Sequence, residues 1–228
     1  MKIKTIIFDL DDTLIKTSKL YNQAREEFFL LMKDFGFKKK EVLAKLDEID
    51  IKNVFQYGFA KERYPYSLGE TYEYFSQKNG EKVDLDLKKK IERLGWQVFE
   101  RTPELVDDVY HVLDILSQKY FLILATLGDP QIQEKKLHLT GLKKYFSTIY
   151  VLKYKNIEEY QNILREHKLK KKDTWIVGNS IRSDLNPGLK LGINCILIPC
   201  LTWKFEEEKP ISEDFLQLSS LKELLNYL

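Results

Sequence analysis

Apolar residues fall in two rhythms along this chain. Four short runs, at 4–8, 121–125, 174–177 and 195–198, are nearly continuous in Ile, Leu, Val and Phe, and turn or polar residues follow each. They are too short for helices and predict strands buried on both faces, with a weaker fifth at 148–152. Between them apolar positions recur every three to four residues, predicting helices over 106–118, 130–139, 158–167 and 187–191. This alternation implies an α/β fold, a doubly wound parallel sheet with helices on both faces. Asp129-Pro130 and Asn186-Pro187 each offer a helix-capping side chain and a proline suited to the first helical position. Gly141 and Gly192 fall where helices end in a left-handed residue.

One stretch breaks the alternation. From 16 to 103 the periodicity is helical throughout, with helices predicted over 20–35, 39–51, 68–77 and 85–99. Open α/β sheets bind ligands at the carboxyl ends of their strands. A helical domain over 16–103, inserted after the first strand into a core of 1–15 and 104–228, therefore reads as a lid. Its aromatic segment, with Tyr57, Phe59, Tyr64, Tyr66, Tyr72 and Tyr74, reads as packing inside that domain.

Composition narrows the class. A chain of 228 residues suits one sizeable core with a smaller satellite, and 43% hydrophobic with 32% charged residues is ordinary for a globular protein. The 37 basic and 35 acidic residues nearly cancel, which argues against a nucleic-acid partner. The lysine runs at 38–40, 88–90 and 170–172 read as solvated helix ends. No apolar run approaches the roughly 18 residues that would cross a membrane. The start of the chain runs into carboxylates without a small-residue cleavage site, so it reads as a strand and not as a leader. Cys195 and Cys200 lack metal or disulfide spacing, which fits buried thiols in a reducing, cytoplasmic compartment. His111, His138 and His167 fall within amphipathic helices, away from the strand ends.

The chemistry is concentrated at Ile6-Ile7-Phe8-Asp9-Leu10-Asp11-Asp12-Thr13-Leu14. A buried strand that ends in carboxylates is costly unless a cation or a reaction uses the charge. Asp9 and Asp11 flank an apolar residue, so both can reach one small volume above the sheet edge. A calcium loop would need glycine at its sixth position and glutamate at its twelfth, where Leu14 and Leu20 stand.

The segment resembles the first motif of the haloacid-dehalogenase-like hydrolase superfamily. Further motifs follow in the family's order: a strand ending in Thr126, a helix-opening lysine best matched by Lys155, and an acidic loop from Gly178 through Asn179 to Asp184. The helical insertion resembles the family's C1 cap. The resemblance spans residues 6–184 and implies a phosphatase-type member acting on a small phosphorylated metabolite with Mg2+. It implies Asp9 as the nucleophile that forms an aspartyl-phosphate, and Asp11 as general acid and base. Thr126 and Lys155, with the backbone N–H groups near Leu10, Asp11 and Leu127, would hold phosphate oxygens. Asp9, the Asp11 carbonyl, Asp184 and Asn179 would ligate the metal, Asp184 directly or through water. Lys153 is the alternative phosphate lysine, and Lys135 and Lys136 come too early for that role. Many phosphatases of the family have aspartate at the position of Asn179, so the site carries one negative charge fewer. Asp11 favours phosphate esters over haloacids, because a departing halide needs no proton. A phosphomutase and a non-catalytic member of the fold are the other readings, and nothing in the chain specifies an oligomeric state.

Overall fold

The computed structural model describes residues 4–200 and 203–228; Met1–Ile3, at the start of the expected first strand, lie outside the described residues. Six parallel strands form one sheet: β1 (Thr5–Phe8), β2 (Phe121–Leu127), β3 (Thr148–Leu152), β4 (Thr174–Gly178), β5 (Asn194–Leu197) and β6 (Leu216–Gln217), in the order β3-β2-β1-β4-β5-β6. Among the described residues eight α-helices accompany them: α1 (Thr17–Met32), α2 (Lys39–Tyr57), α3 (Arg63–Lys78), α4 (Leu85–Glu100), α5 (Val109–Leu116), α6 (Pro130–Leu139), α7 (Ile157–Glu166) and α8 (Asn186–Leu191). The chain divides into two compact units, Met1–Thr17 with Pro103–Leu228, and Ser18–Thr102.

In the first unit the period-two geometry of β1 sends Ile6 and Phe8 to one face and Ile7 to the other. Ile6, Phe8, Leu122 and Leu124 belong to one core with Val109, Val112, Leu113 and Leu116 of α5. Ile7, Ile123, Ala125 and Ile176 join Tyr160, Ile163 and Leu164 of α7 in a second. Both faces are thus covered, which is why these strands read as unbroken apolar runs. Phe8 is level with Leu124 of β2 and Val177 of β4. Asp9 therefore leaves the middle of the sheet at its carboxyl edge, next to the β1–β4 boundary where the winding direction reverses. That reversal is the usual ligand crevice of such sheets.

The second unit is the four-helix stretch. Phe28, Met32, Leu46, Tyr72, Phe75, Ile91 and Val98 form its core. A Cβ on Gly95 would lie 2.6 Å from Pro65 Cα, so glycine is what lets α3 and α4 approach there. Arg63 and Asp50 form a buried ion pair within this unit.

Several expectations need correction. β2 runs two residues further than its apolar run, carrying Thr126 and Leu127 inside the strand. β6 has no apolar signature and goes unseen in the sequence. Asn186 caps nothing: α8 already includes it, and its amide instead binds Glu208 Oε1 and Lys209 O, both at 3.0 Å. Asp129 does cap α6, accepting from Gln131 N at 2.9 Å and Ile132 N at 3.3 Å. Only Cys195 is buried, while Cys200 is exposed. Within the aromatic segment Tyr64 and Tyr72 are buried, but Tyr57, Tyr66 and Tyr74 are exposed.

Candidate active site

The segment after β1 is a tight turn anchored by its apolar residues. Leu10, Leu14 and Ile15 are fully buried. Leu10 O accepts from Leu14 N at 2.9 Å and Ile15 N at 3.2 Å, and Asp12 sits at φ 60°, a conformation aspartate tolerates better than most residues. Asp9 N donates to Val177 O at 2.9 Å, which keeps Asp9 in line with the sheet. With Leu10 pinned in the core, Asp9 and Asp11 stand on either side of it at the strand's end.

Two networks grow from these carboxylates. In the first, Lys155 Nζ lies 2.5 Å from Asp9 Oδ1 and 2.6 Å from Asp184 Oδ1. All three residues are buried. Lys155 directly precedes Asn156, whose side chain caps α7 by accepting from Glu159 N at 3.0 Å. The helix start thus fixes the lysine's exit, whereas Lys153 is exposed. Thr13 Oγ1 donates to Asp9 Oδ2 at 2.9 Å, with Asn179 Oδ1 a longer 3.3 Å from the same hydroxyl. Tyr160 OH at 3.2 Å and Ser180 N at 3.1 Å both donate to Asp184. Asp184 lies in a single π-helical turn, Ile181–Leu185, and packs hard onto Gly178: a Cβ there would come within 2.2 Å of Asp184 Oδ2. Glu206 Oε2 accepts from Ser180 Oγ at 2.5 Å and Ser183 Oγ at 2.6 Å, tying this turn to the chain that follows β5.

In the second network Asp11 is held from α6. Its Oδ1 accepts from Lys136 Nζ at 2.7 Å and from the Thr17 hydroxyl, and its Oδ2 accepts from Gln133 Nε2 at 2.8 Å. Gln133 Nε2 also donates to Thr126 Oγ1 at 2.6 Å. Thr126 is fully buried, and Leu127 ends β2 in register with Leu152.

The electrostatics of the two aspartates diverge. Burial pushes the Asp9 carboxyl up to about 7, against the pull of Lys155. Burial also opposes ionisation of Asp11, but the Lys136 ammonium, with hydrogen bonds from Lys136, Thr17 and Gln133, holds it below its ordinary value. Burial disfavours the charge on Lys155, and Asp184 and Asp9 outweigh it, keeping the ammonium well above its usual pKa.

Gln133 and Glu206 went unseen in the sequence, and Lys136 was noticed there but given no role. Gln133 and Lys136 shared a signal: Asp129 sets the start of α6, which puts residues three apart on one helix face just after Thr126. Lys136, set aside in the sequence as too early for a phosphate lysine, reaches Asp11. Glu206 had no signal, since only the fold brings it to Ser180. The oxygens brought together around Lys155 and Thr13 are the Asp9 and Asp184 carboxylates and the Asn179 amide. Among the described residues no group of three or more His, Cys, Asp or Glu side chains stands together as a metal cluster. A few hard oxygens without sulfur or imidazole fit magnesium, which keeps several waters, better than zinc.

Residues 6–198 match the family model of haloacid dehalogenase-like hydrolases, and the chain belongs to that family. It is 24% identical to the N-acylneuraminate-9-phosphatase of Mus musculus over 205 residues, 84% of this chain and 80% of the relative. Among solved structures, a haloacid dehalogenase-like hydrolase from Xanthomonas campestris superposes with a TM-score of 0.81 at 21% identity, covering 99% of this chain and 94% of its own. The magnesium-bound YfnB of Bacillus subtilis, a HAD-type hydrolase, superposes at 0.68 and 22% identity, covering 100% and 99%. Solved L-2-haloacid dehalogenases share the fold as well. No helix among the described residues is long and apolar enough to cross a membrane.

Proposed function

We propose that this chain is a magnesium-dependent phosphatase of small phosphorylated metabolites, with Asp9 as nucleophile and Asp11 as acid and base. The observation that carries the reading is the opposed setting of two neighbouring carboxylates. Asp9 is buried against Lys155, and Asp11 is held by Lys136, Gln133 and Thr17. The Lys155 ammonium on Asp9, and a second carboxyl group one residue beyond Leu10, place a nucleophile and a separate proton carrier at one strand end.

Asp9 attacks phosphorus in line with the leaving oxygen, so the new Asp9–phosphorus bond forms as the ester bond breaks. Protonated Asp11 gives its proton to the departing oxygen, then as carboxylate takes one from the water that hydrolyses the aspartyl-phosphate. The donors on Asp11 keep it ionised in the free protein, and an arriving phosphate dianion raises its proton affinity. Thr126, Lys155 and the N–H groups of Leu10, Asp11 and Leu127 hold phosphate oxygens. Asp9, Asn179, Asp184 and the Asp11 carbonyl would hold magnesium, whose charge offsets that of the phosphate. The placed proton donor Asp11 favours esters over haloacids. The helical unit, entering after β1, is read as the family's C1-type cap. Balanced charge argues against a nucleic-acid substrate, and cysteine usage fits a cytoplasmic site of action.

The test is hydrolysis of p-nitrophenyl phosphate with and without magnesium, beside Asp9→Asn. Magnesium-dependent turnover that drops about a thousandfold or more in the variant is expected. Folded, magnesium-loaded protein that is inactive on this substrate and on a panel of small phosphate esters overturns the reading.

A further inference from the structure

Gln133 has two partners on one nitrogen. Its side chain is 1% exposed, and Nε2 lies 2.8 Å from Asp11 Oδ2 and 2.6 Å from Thr126 Oγ1. Chemistry fixes the amide's orientation. An ionised carboxylate only accepts, so the nitrogen and not the oxygen of Gln133 must face Asp11. The second N–H on that nitrogen then points at Thr126, whose hydroxyl oxygen accepts it. The Thr126 hydrogen is left to aim elsewhere, and among the described residues the acceptor it meets is a long contact, 3.4 Å to Leu127 O. Gly128 makes room for this arrangement: it sits at φ 143°, and a Cβ there would lie 3.0 Å from Gln133 Cδ and 3.1 Å from Cγ.

We propose that Gln133 is a positioning residue that sets the hydrogen-bond direction of Thr126, so that its hydroxyl is presented to phosphate as a donor. The inference rests on the phosphatase reading of Thr126 made above. A hydroxyl can donate or accept, and an acceptor facing a phosphate oxygen repels it. Occupying one of the two Thr126 lone pairs from α6 keeps the hydrogen from turning toward Gln133 and leaves it for the ligand, which preorganises a donor.

The test is a double-mutant cycle on inorganic phosphate binding, measured by calorimetry with magnesium and so independent of turnover. Gln133→Glu is nearly isosteric but reverses the bond: its carboxylate accepts the Thr126 hydrogen and draws it away from phosphate. Gln133→Met keeps the length and leaves the hydroxyl undirected. Gln133→Glu also brings a like charge near the ligand, and repeating each variant on Thr126→Val isolates that effect, since repulsion persists there while direction no longer matters.

With Thr126 present, Gln133→Glu should weaken phosphate about tenfold or more beyond its cost on Thr126→Val, and Gln133→Met should show a smaller coupling of the same sign. Equal costs on both backgrounds overturn the proposal. Should Gln133→Glu not fold, the Gln133→Met cycle decides alone, and absent coupling there is equally fatal. Wild-type protein that binds phosphate without hydrolysing esters defeats the hydrolase reading while the cycle still judges this one. Wild-type protein that binds no phosphate defeats both.

Discussion

Lys155→Met removes the one ammonium shared by Asp9 and Asp184. The lysine side chain is 1% exposed and the two carboxylates 8% and 3%, so little water replaces it. Methionine fills much of the same volume, which confines the effect to charge. Breaking a buried pair by deleting one partner typically costs about 3–5 kcal/mol, because the remaining charge stays buried without compensation. For a protein of this size each kcal/mol shifts the unfolding midpoint by about 2–4 °C, so a fall of about 10 °C is expected at pH 8. The lysine's folded pKa is raised, so its contribution is fully present below its unfolded value and pH 8 captures all of it. At pH 5 the fall should shrink, since Asp9, pushed up to about 7, then carries a proton. The assay is thermal unfolding in chelator, followed by intrinsic fluorescence with Trp96→Phe as the common background, so that Trp175 and Trp203 report the sheet-bearing unit. A midpoint within about 2 °C of wild type at pH 8, or a fall that does not diminish at pH 5, refutes the reasoning.

Two more consequences can be measured. Asp9 has a raised folded pKa, so its charge costs stability that is absent below the ordinary carboxylate value and complete above about 7. In urea unfolding without magnesium, Asp9→Asn should therefore gain on wild type as pH rises from 4 to 8; a constant difference contradicts this. Gly178→Ala should push Asp184 off Lys155, because the new Cβ would sit 2.2 Å from Asp184 Oδ2 and 2.3 Å from its Cγ. A loss of about 1–3 kcal/mol of stability and of most magnesium-dependent turnover is expected, and a variant with wild-type metal activation would contradict the packing argument.

The candidate site residues were legible where local pattern and chemistry coincide. Asp9 and Asp11 stand out because a buried strand ending in acids has no cheap structural reason. Lys155 was preferred to Lys153 for its place at the helix opening, and spatial placement sharpens the difference: one side chain is buried on two carboxylates and the other is exposed. Lys136 shows the opposite outcome. Its place in α6 was readable from the Asp129 cap, but which face of α6 meets Asp11 depends on how the helix docks after β2. Asn186 misled because an Asn-Pro pair signals a helix start, whereas a distant segment claims its amide.

Local sequence determined the strands of the buried sheet, the helical insertion and the carboxylate-rich turn, because apolar periodicity and turn chemistry act over a few residues. Only the tertiary structure decided that β6 completes the sheet, that Glu206 braces Ser180 and Ser183, and that Gln133 joins Asp11 to Thr126. Those contacts span between seven and 122 residues of chain, and no local preference encodes which side chains the packing of strand on strand and helix on sheet will bring within a hydrogen bond.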